Sequence, residues 1–154
     1  MDAEARKAAI ERLRPWVLSL QPMMGLGHWR IRVVDEPPRT PNAFAEFAQW
    51  VNAREADIHI GDQFFTTSPE EQRETIVHEY LHGHMKAFKH LFADMENYLS
   101  KVMYQHMDSQ FFHAEEMTVD ALSRVVAVHV PLPPELPPAE IEAQKKPVIG
   151  SGLY

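Results

Sequence analysis

The stretch His78-Glu79-Tyr80-Leu81-His82 places two imidazoles and a carboxylate at the spacing H-E-x-x-H. On a helix, the two histidines lie one turn apart on one face and can grip one metal ion. Glu79 lies about 100° round that helix, close enough to reach a water on the metal. Two neutral nitrogens and a carboxylate suit Zn²⁺, and a catalytic zinc keeps one position open for water. The chemistry implied is hydrolysis. Zinc lowers the pKa of water and polarises a carbonyl. Glu79 takes the proton and passes it to the leaving nitrogen. With 9 histidines in 154 residues, such a motif arises by chance in about one chain in twenty, so its context must carry the reading.

Such a site also needs a third ligand. Glu116 and Asp120 stand four residues apart, in the pattern E-x-x-x-D. There Glu116 binds the metal and Asp120 orients a ligating histidine through its second nitrogen. Glu115 is the competing ligand, but it shares a face with Val119 and Leu122, which read as core, and no Asp follows four residues on. Both acids would also suit the first turn of a helix with no metal at all. An oxyanion needs a further donor. His113, three residues before Glu116 on its face, is the first choice, with Tyr104 and His106 behind it. His84 and His90 read as helix-surface residues, and His59 as a strand residue facing the cleft.

The elements that must position these groups follow from periodicity. Ile10, Leu13, Val17 and Leu20 predict a helix over 3–20, kinked or divided at Pro15, and a loop from Pro22 to Gly27. Alternation around Trp29, Ile31 and Val33 predicts a strand. Residues 43–51 and 56–60 predict a hairpin, with Ile58 and Ile60 facing one way and Asp57 and His59 the other. Ser68-Pro69-Glu70-Glu71 predicts a capped start for the motif helix, which runs to about 88. Ile76, Val77, Tyr80, Leu81, His84 and Phe88 then make a broad, mostly apolar arc, with His78 and His82 roughly opposite its centre. Two further helices are expected over 91–107 and 111–128, broken at 107–110. Core positions are Leu91, Met95, Tyr98, Val102 and Met103 in the first, and Val119, Leu122 and Val126 in the second. Six of the 12 prolines fall between 131 and 147, so 131–154 reads as an extended tail outside a single domain of residues 1–130.

These residues together resemble the gluzincin metallopeptidases, zinc proteases with HExxH on one helix and a glutamate on a later one. Asn42-Ala43-Phe44 resembles the N-A-F segment of thermolysin-like and HtpX-type enzymes, where it belongs to the edge strand that pairs with substrate. Ile58-His59-Ile60-Gly61, Phe64-Phe65, a Glu-rich helix start and HExxH follow the HtpX-type order. Asp120 matches the aspartate that supports a ligating histidine in such families. The resemblance spans residues 42–124 and lacks that group's membrane helices. It implies a minimal soluble gluzincin, with one catalytic Zn²⁺ held by His78, His82 and Glu116. It implies an α+β, zincin-like fold, with a sheet of three or four strands on the HExxH helix and a helical C-terminal half. A peptide or protein substrate would add to the edge strand at Asn42, Ala43 and Phe44. Some minimal gluzincins are latent, so the tail is a candidate regulator of the cleft. Repressor-cleaving proteases of phages and plasmids are the second choice within the class.

Bulk properties narrow the alternatives. A net charge of −7 argues against a nucleic-acid partner. The absence of cysteine removes disulfides, thiolate zinc sites and a cysteine nucleophile. No apolar run approaches the ~20 residues of a membrane span, and the N-terminus has no secretory pattern, so a cytoplasmic protein with no membrane partner is the expectation. A zinc-binding module without catalysis and a metal hydrolase of non-peptide substrates are the competing functions.

Overall fold

The computed structural model describes residues 2–50 and 53–135, and not the side chains of residues 86, 87 and 89. The chain is α+β, with helices packed on a small three-stranded mixed sheet. Helix α1 spans Ala3–Met23, and the Asp2 side chain caps it by accepting from Ala5 N at 2.8 Å. Ile10, Leu13, Val17 and Leu20 are all buried, joined by Trp16. The expected division at Pro15 does not occur, because α1 continues through both prolines, and the loop expected from Pro22 begins at Met24. Pro15 is exposed, so water can satisfy the carbonyl it leaves without a donor, while burial on either side holds the turns together. Gly25, at φ 71°, then turns the chain in the left-handed conformation that ends many helices.

Strands β1 (Arg30–Val34), β2 (Ala45–Trp50) and β3 (Glu55–Ile60) form a sheet in the order β1-β3-β2. The expected hairpin is present as the antiparallel pair of β2 and β3, while β1 runs parallel to β3 on the other side. Val33, Ile58 and Phe47 form one cross-strand row, and Ile60 stands opposite Ala45. These side chains join the buried stripes of α1 and the motif helix in one core. Asp57 and His59 occupy the other face. There Arg32 grips Asp57 with two hydrogen bonds, of 2.7 and 3.0 Å.

Helix α2 spans Pro69–Asp94. The capping box is formed: Ser68 Oγ accepts from Glu71 N at 3.3 Å, and Glu71 Oε2 accepts from Ser68 N at 2.9 Å. The bond from Ser68 N–H, and a second that Ser68 Oγ donates to the same oxygen at 2.9 Å, hold the Glu71 carboxyl below its ordinary pKa. Tyr80 is fully buried and its hydroxyl donates to Val17 O at 2.8 Å, tying α2 to α1; burial raises its pKa. Helix α2 outruns its expected end at 88, and a 3₁₀ turn at Met95–Asn97 separates it from α3, Lys101–Ala127. The two expected helices are thus one, and the break falls before Ser100, which caps α3 by accepting from Met103 N at 3.3 Å. Residues 108–110 are polar, but 107–110 hold neither Gly nor Pro, so nothing stops the helix there. Leu91, Tyr98, Val102 and Met103, expected in the core, are exposed. Leu122 is also exposed, and α3 buries Glu115, Val119, Ser123 and Ala127 instead. Packing continues past Val130, since Trp16 Nε1 donates to Pro131 O at 3.0 Å. Most of the tail, residues 136–154, lies outside the described residues.

Candidate metal centre

Helix α2 carries His78, Glu79 and His82, and α3 lies against it with Glu115, Glu116 and Asp120. Three side chains converge. His78 Nε2 and His82 Nε2 stand 3.0 Å apart, and Glu116 reaches the first with Oε2 at 3.7 Å and the second with Oε1 at 3.5 Å. With metal–ligand bonds of about 2.0–2.1 Å, ligands at the corners of a tetrahedron are about 3.3 Å apart. Each separation is near that value, with the two Glu116 contacts made by different oxygens of one carboxylate, and two imidazoles with a carboxylate are a zinc donor set. His78, His82 and Glu116 can therefore hold a metal ion.

Each histidine has a carboxylate behind it. His78 Nδ1 lies 3.0 Å from Asp120 Oδ1, as the spacing of Glu116 and Asp120 predicts. His82 Nδ1 lies 2.9 Å from Glu115 Oε1. A proton shared at each Nδ1 leaves Nε2 with its lone pair toward the metal position. Burial lowers the pKa of His78, helped by its neighbour His82 and opposed by Glu116 and Asp120. The neutral ring that results is the form a metal needs.

Glu115 is the residue that sequence reasoning misplaced. It is buried with the core stripe, as expected from Val119, yet its carboxylate serves His82. The signal was available: two histidines each need an orienting partner, and Asp120 can serve only one.

Glu79 is 9% exposed, and its Oε2 accepts from the backbone N–H of Phe47 at 2.8 Å. Strand β2 is the sheet edge on this side. Because Phe44 O accepts from Gly61 N in β-pairing, Ala45, Phe47 and Gln49 turn their main-chain groups outward by alternation. A cleft of about 250 Å³ follows this edge, with Phe44 and Ala45 on one side, Thr75, His78 and Glu79 on the other, and Asp120 also in its lining.

The expected substrate-binding segment is shifted. Strand β2 begins at Ala45, so Asn42, Ala43 and Phe44 precede it, and of the three only Phe44 lines the cleft. Asn42 takes a left-handed φ of 62°, and Ala43 O lies so near Gly61 that a Cβ there would come within 2.0 Å of it. Asn42 and Ala43 line a different groove, beside Pro38 and Gln63.

The other expected residues are dispersed. His113 is exposed on α3 and is not in the cleft lining. His106 is exposed, and Tyr104 lines a separate cavity against Phe92. His59 does not face the cleft; it is buried on the far sheet face, its Nδ1 3.1 Å from Glu36 O. His90 is on the surface, while His84 Nε2 lies 2.7 Å from Met24 O at the end of α1. No helix among the described residues is long and apolar enough to cross a membrane. Comparison with protein-family models, curated proteins and solved structures gives no match to this chain.

Proposed function

We propose that the protein is a zinc metallopeptidase of gluzincin type, cleaving peptide bonds in an extended protein substrate. One observation carries this reading: His78 of the two-histidine, one-glutamate group lines one cleft with Glu79 and with Ala45 at the start of the edge strand β2. Bound between His78, His82 and Glu116, Zn²⁺ supplies Lewis acidity to water and to a scissile carbonyl.

The chain's own residues do the rest. Asp120 and Glu115 keep both histidines in the tautomer that presents Nε2. The Phe47 N–H fixes one oxygen of Glu79, and the Glu79 carboxylate accepts a proton from water and delivers it to the leaving nitrogen. The outward N–H and C=O of Ala45 offer a substrate strand its main-chain bonds, so the peptide lies along the cleft by strand addition.

A second reading, a zinc-binding module without catalysis, takes support from the same Phe47 bond, which gives Glu79 an anchoring role. Glu79→Gln separates the two. Its amide oxygen can still accept from Phe47 N–H, but it cannot take a proton. The expected variant folds, binds zinc and loses peptide hydrolysis, measured as cleavage of a peptide library by mass spectrometry. Cleavage by Glu79→Gln at the wild-type rate refutes the assignment.

A further inference from the structure

A second cavity, of about 290 Å³, opens between the C-terminal part of α2 and the first half of α3. Its walls are aromatic. Phe92 stacks on Tyr104 with centroids 5.6 Å apart, and on Phe111 with centroids 5.2 Å apart and planes within 12°. Phe112, 58% exposed, adds a fourth ring at the lining. Asp108 stands one turn from Tyr104 on α3 and completes the rim. Among the described residues Asp108 enters no ion pair, and its charge acts on the Tyr104 hydroxyl, whose pKa is raised by desolvation first and by Asp108 second. Glu115 forms part of the lining.

Four aromatic rings line the cavity beside the Asp108 carboxylate, with Glu115 also in the lining. The ring quadrupoles carry negative charge on their faces and attract a cation, and desolvation strengthens that attraction. Asp108 is exposed, so a neutral apolar ligand would gain nothing from its charge, and a hydrophilic ion such as Mg²⁺ would gain nothing from the rings. A pocket of this size holds a ligand of around ten heavy atoms.

We infer that this cavity is a binding site for a small organic cation with an apolar body, an aralkylammonium, whose apolar body lies against the aromatic stack and whose charge sits against Asp108. The cavity shares no lining residue with the histidine cleft, and Glu115, which lines it, also reaches His82 from behind the metal centre.

The test is a titration of the full chain with benzyltrimethylammonium, with 2-phenylethanol as the neutral comparator, followed by NMR of the aromatic side chains. The quaternary ammonium has no lone pair and cannot ligate zinc, so the outcome is independent of the peptidase reading. The expected result is a shift of the Phe92, Tyr104 and Phe111 ring signals, with the cation binding about tenfold tighter than the alcohol. Asp108→Asn, an exposed change that leaves the fold intact, should weaken the cation about fivefold and leave the alcohol unchanged. Equal binding of the two probes overturns the inference. So does an absence of shifts at these rings, or an Asp108→Asn variant that binds the cation as tightly as wild type.

Discussion

Glu115 and Asp120 make the same kind of bond to the two histidines, and the structure predicts that they are not equally important. His82 Nδ1 to Glu115 spans 2.9 Å with a side chain that is 0% exposed, and His78 Nδ1 to Asp120 spans 3.0 Å with one that is 55% exposed. Removing Asp120 lets water take its place, so the loss is that of an exposed charged pair, about 1 kcal/mol or less, which is about fivefold in affinity. Removing Glu115 leaves a buried N–H that water does not readily reach. That costs about 1.5–3 kcal/mol, or about 10- to 100-fold in zinc affinity. The assay is competition for zinc between the protein and a chromophoric chelator, run on Glu115→Ala and Asp120→Ala, with circular dichroism confirming that both are folded. Glu115→Ala is expected to bind zinc at least several-fold more weakly than Asp120→Ala. If Asp120→Ala is the weaker binder, burial does not set the worth of these supports. If both bind zinc like wild type, His78 and His82 are not its ligands.

The remaining expectations concern pH and stability. His78 has a folded pKa below its ordinary value of 6.5. The unfolded chain therefore binds more protons in the window just below 6.5, so the metal-free protein should lose stability as pH falls through that window. A thermal midpoint that drops on acidification, and drops less in His78→Gln, checks this. Tyr80→Phe removes the buried bond to Val17 O and should lower unfolding free energy by about 1 kcal/mol in urea titration, with zinc affinity unchanged. Gly61→Ala would drive a Cβ to 2.0 Å from the backbone oxygen of Ala43, so a loss of at least about 3 kcal/mol, or an insoluble product, is expected. A stable Gly61→Ala protein would mean that the approach to β2 is looser than described.

Much of the fold was legible because it depends on local rules. The capping box at Ser68 and Glu71 is written in four consecutive residues and forms as written. The stripe from Ile10 to Leu20 is buried, and the 43–60 hairpin pairs. The misreadings share a cause. Pro15 and the polar residues 108–110 look like breaks when judged by residue type, but a helix stops only where its bonds and packing both fail. Leu91, Tyr98, Val102 and Met103 have helical spacing, yet periodicity does not say whether a partner covers the stripe, and here they are exposed.

For the candidate site, the sequence by itself determined the HExxH face of α2 and the four-residue step from Glu116 to Asp120, because both are consequences of helical pitch. Tertiary structure decided everything that needs two elements at once. The angle at which α3 meets α2 turns both neighbouring acids toward the histidines, so Glu116 joins the donor group while Glu115, one residue away, reaches round to His82 Nδ1. The register of β2 on β3 turns Phe47 N–H outward to Glu79 and places Ala45 in the cleft, leaving Asn42 and Ala43 outside it. A one-residue slip in that register would reverse each of these assignments, and no local pattern fixes it.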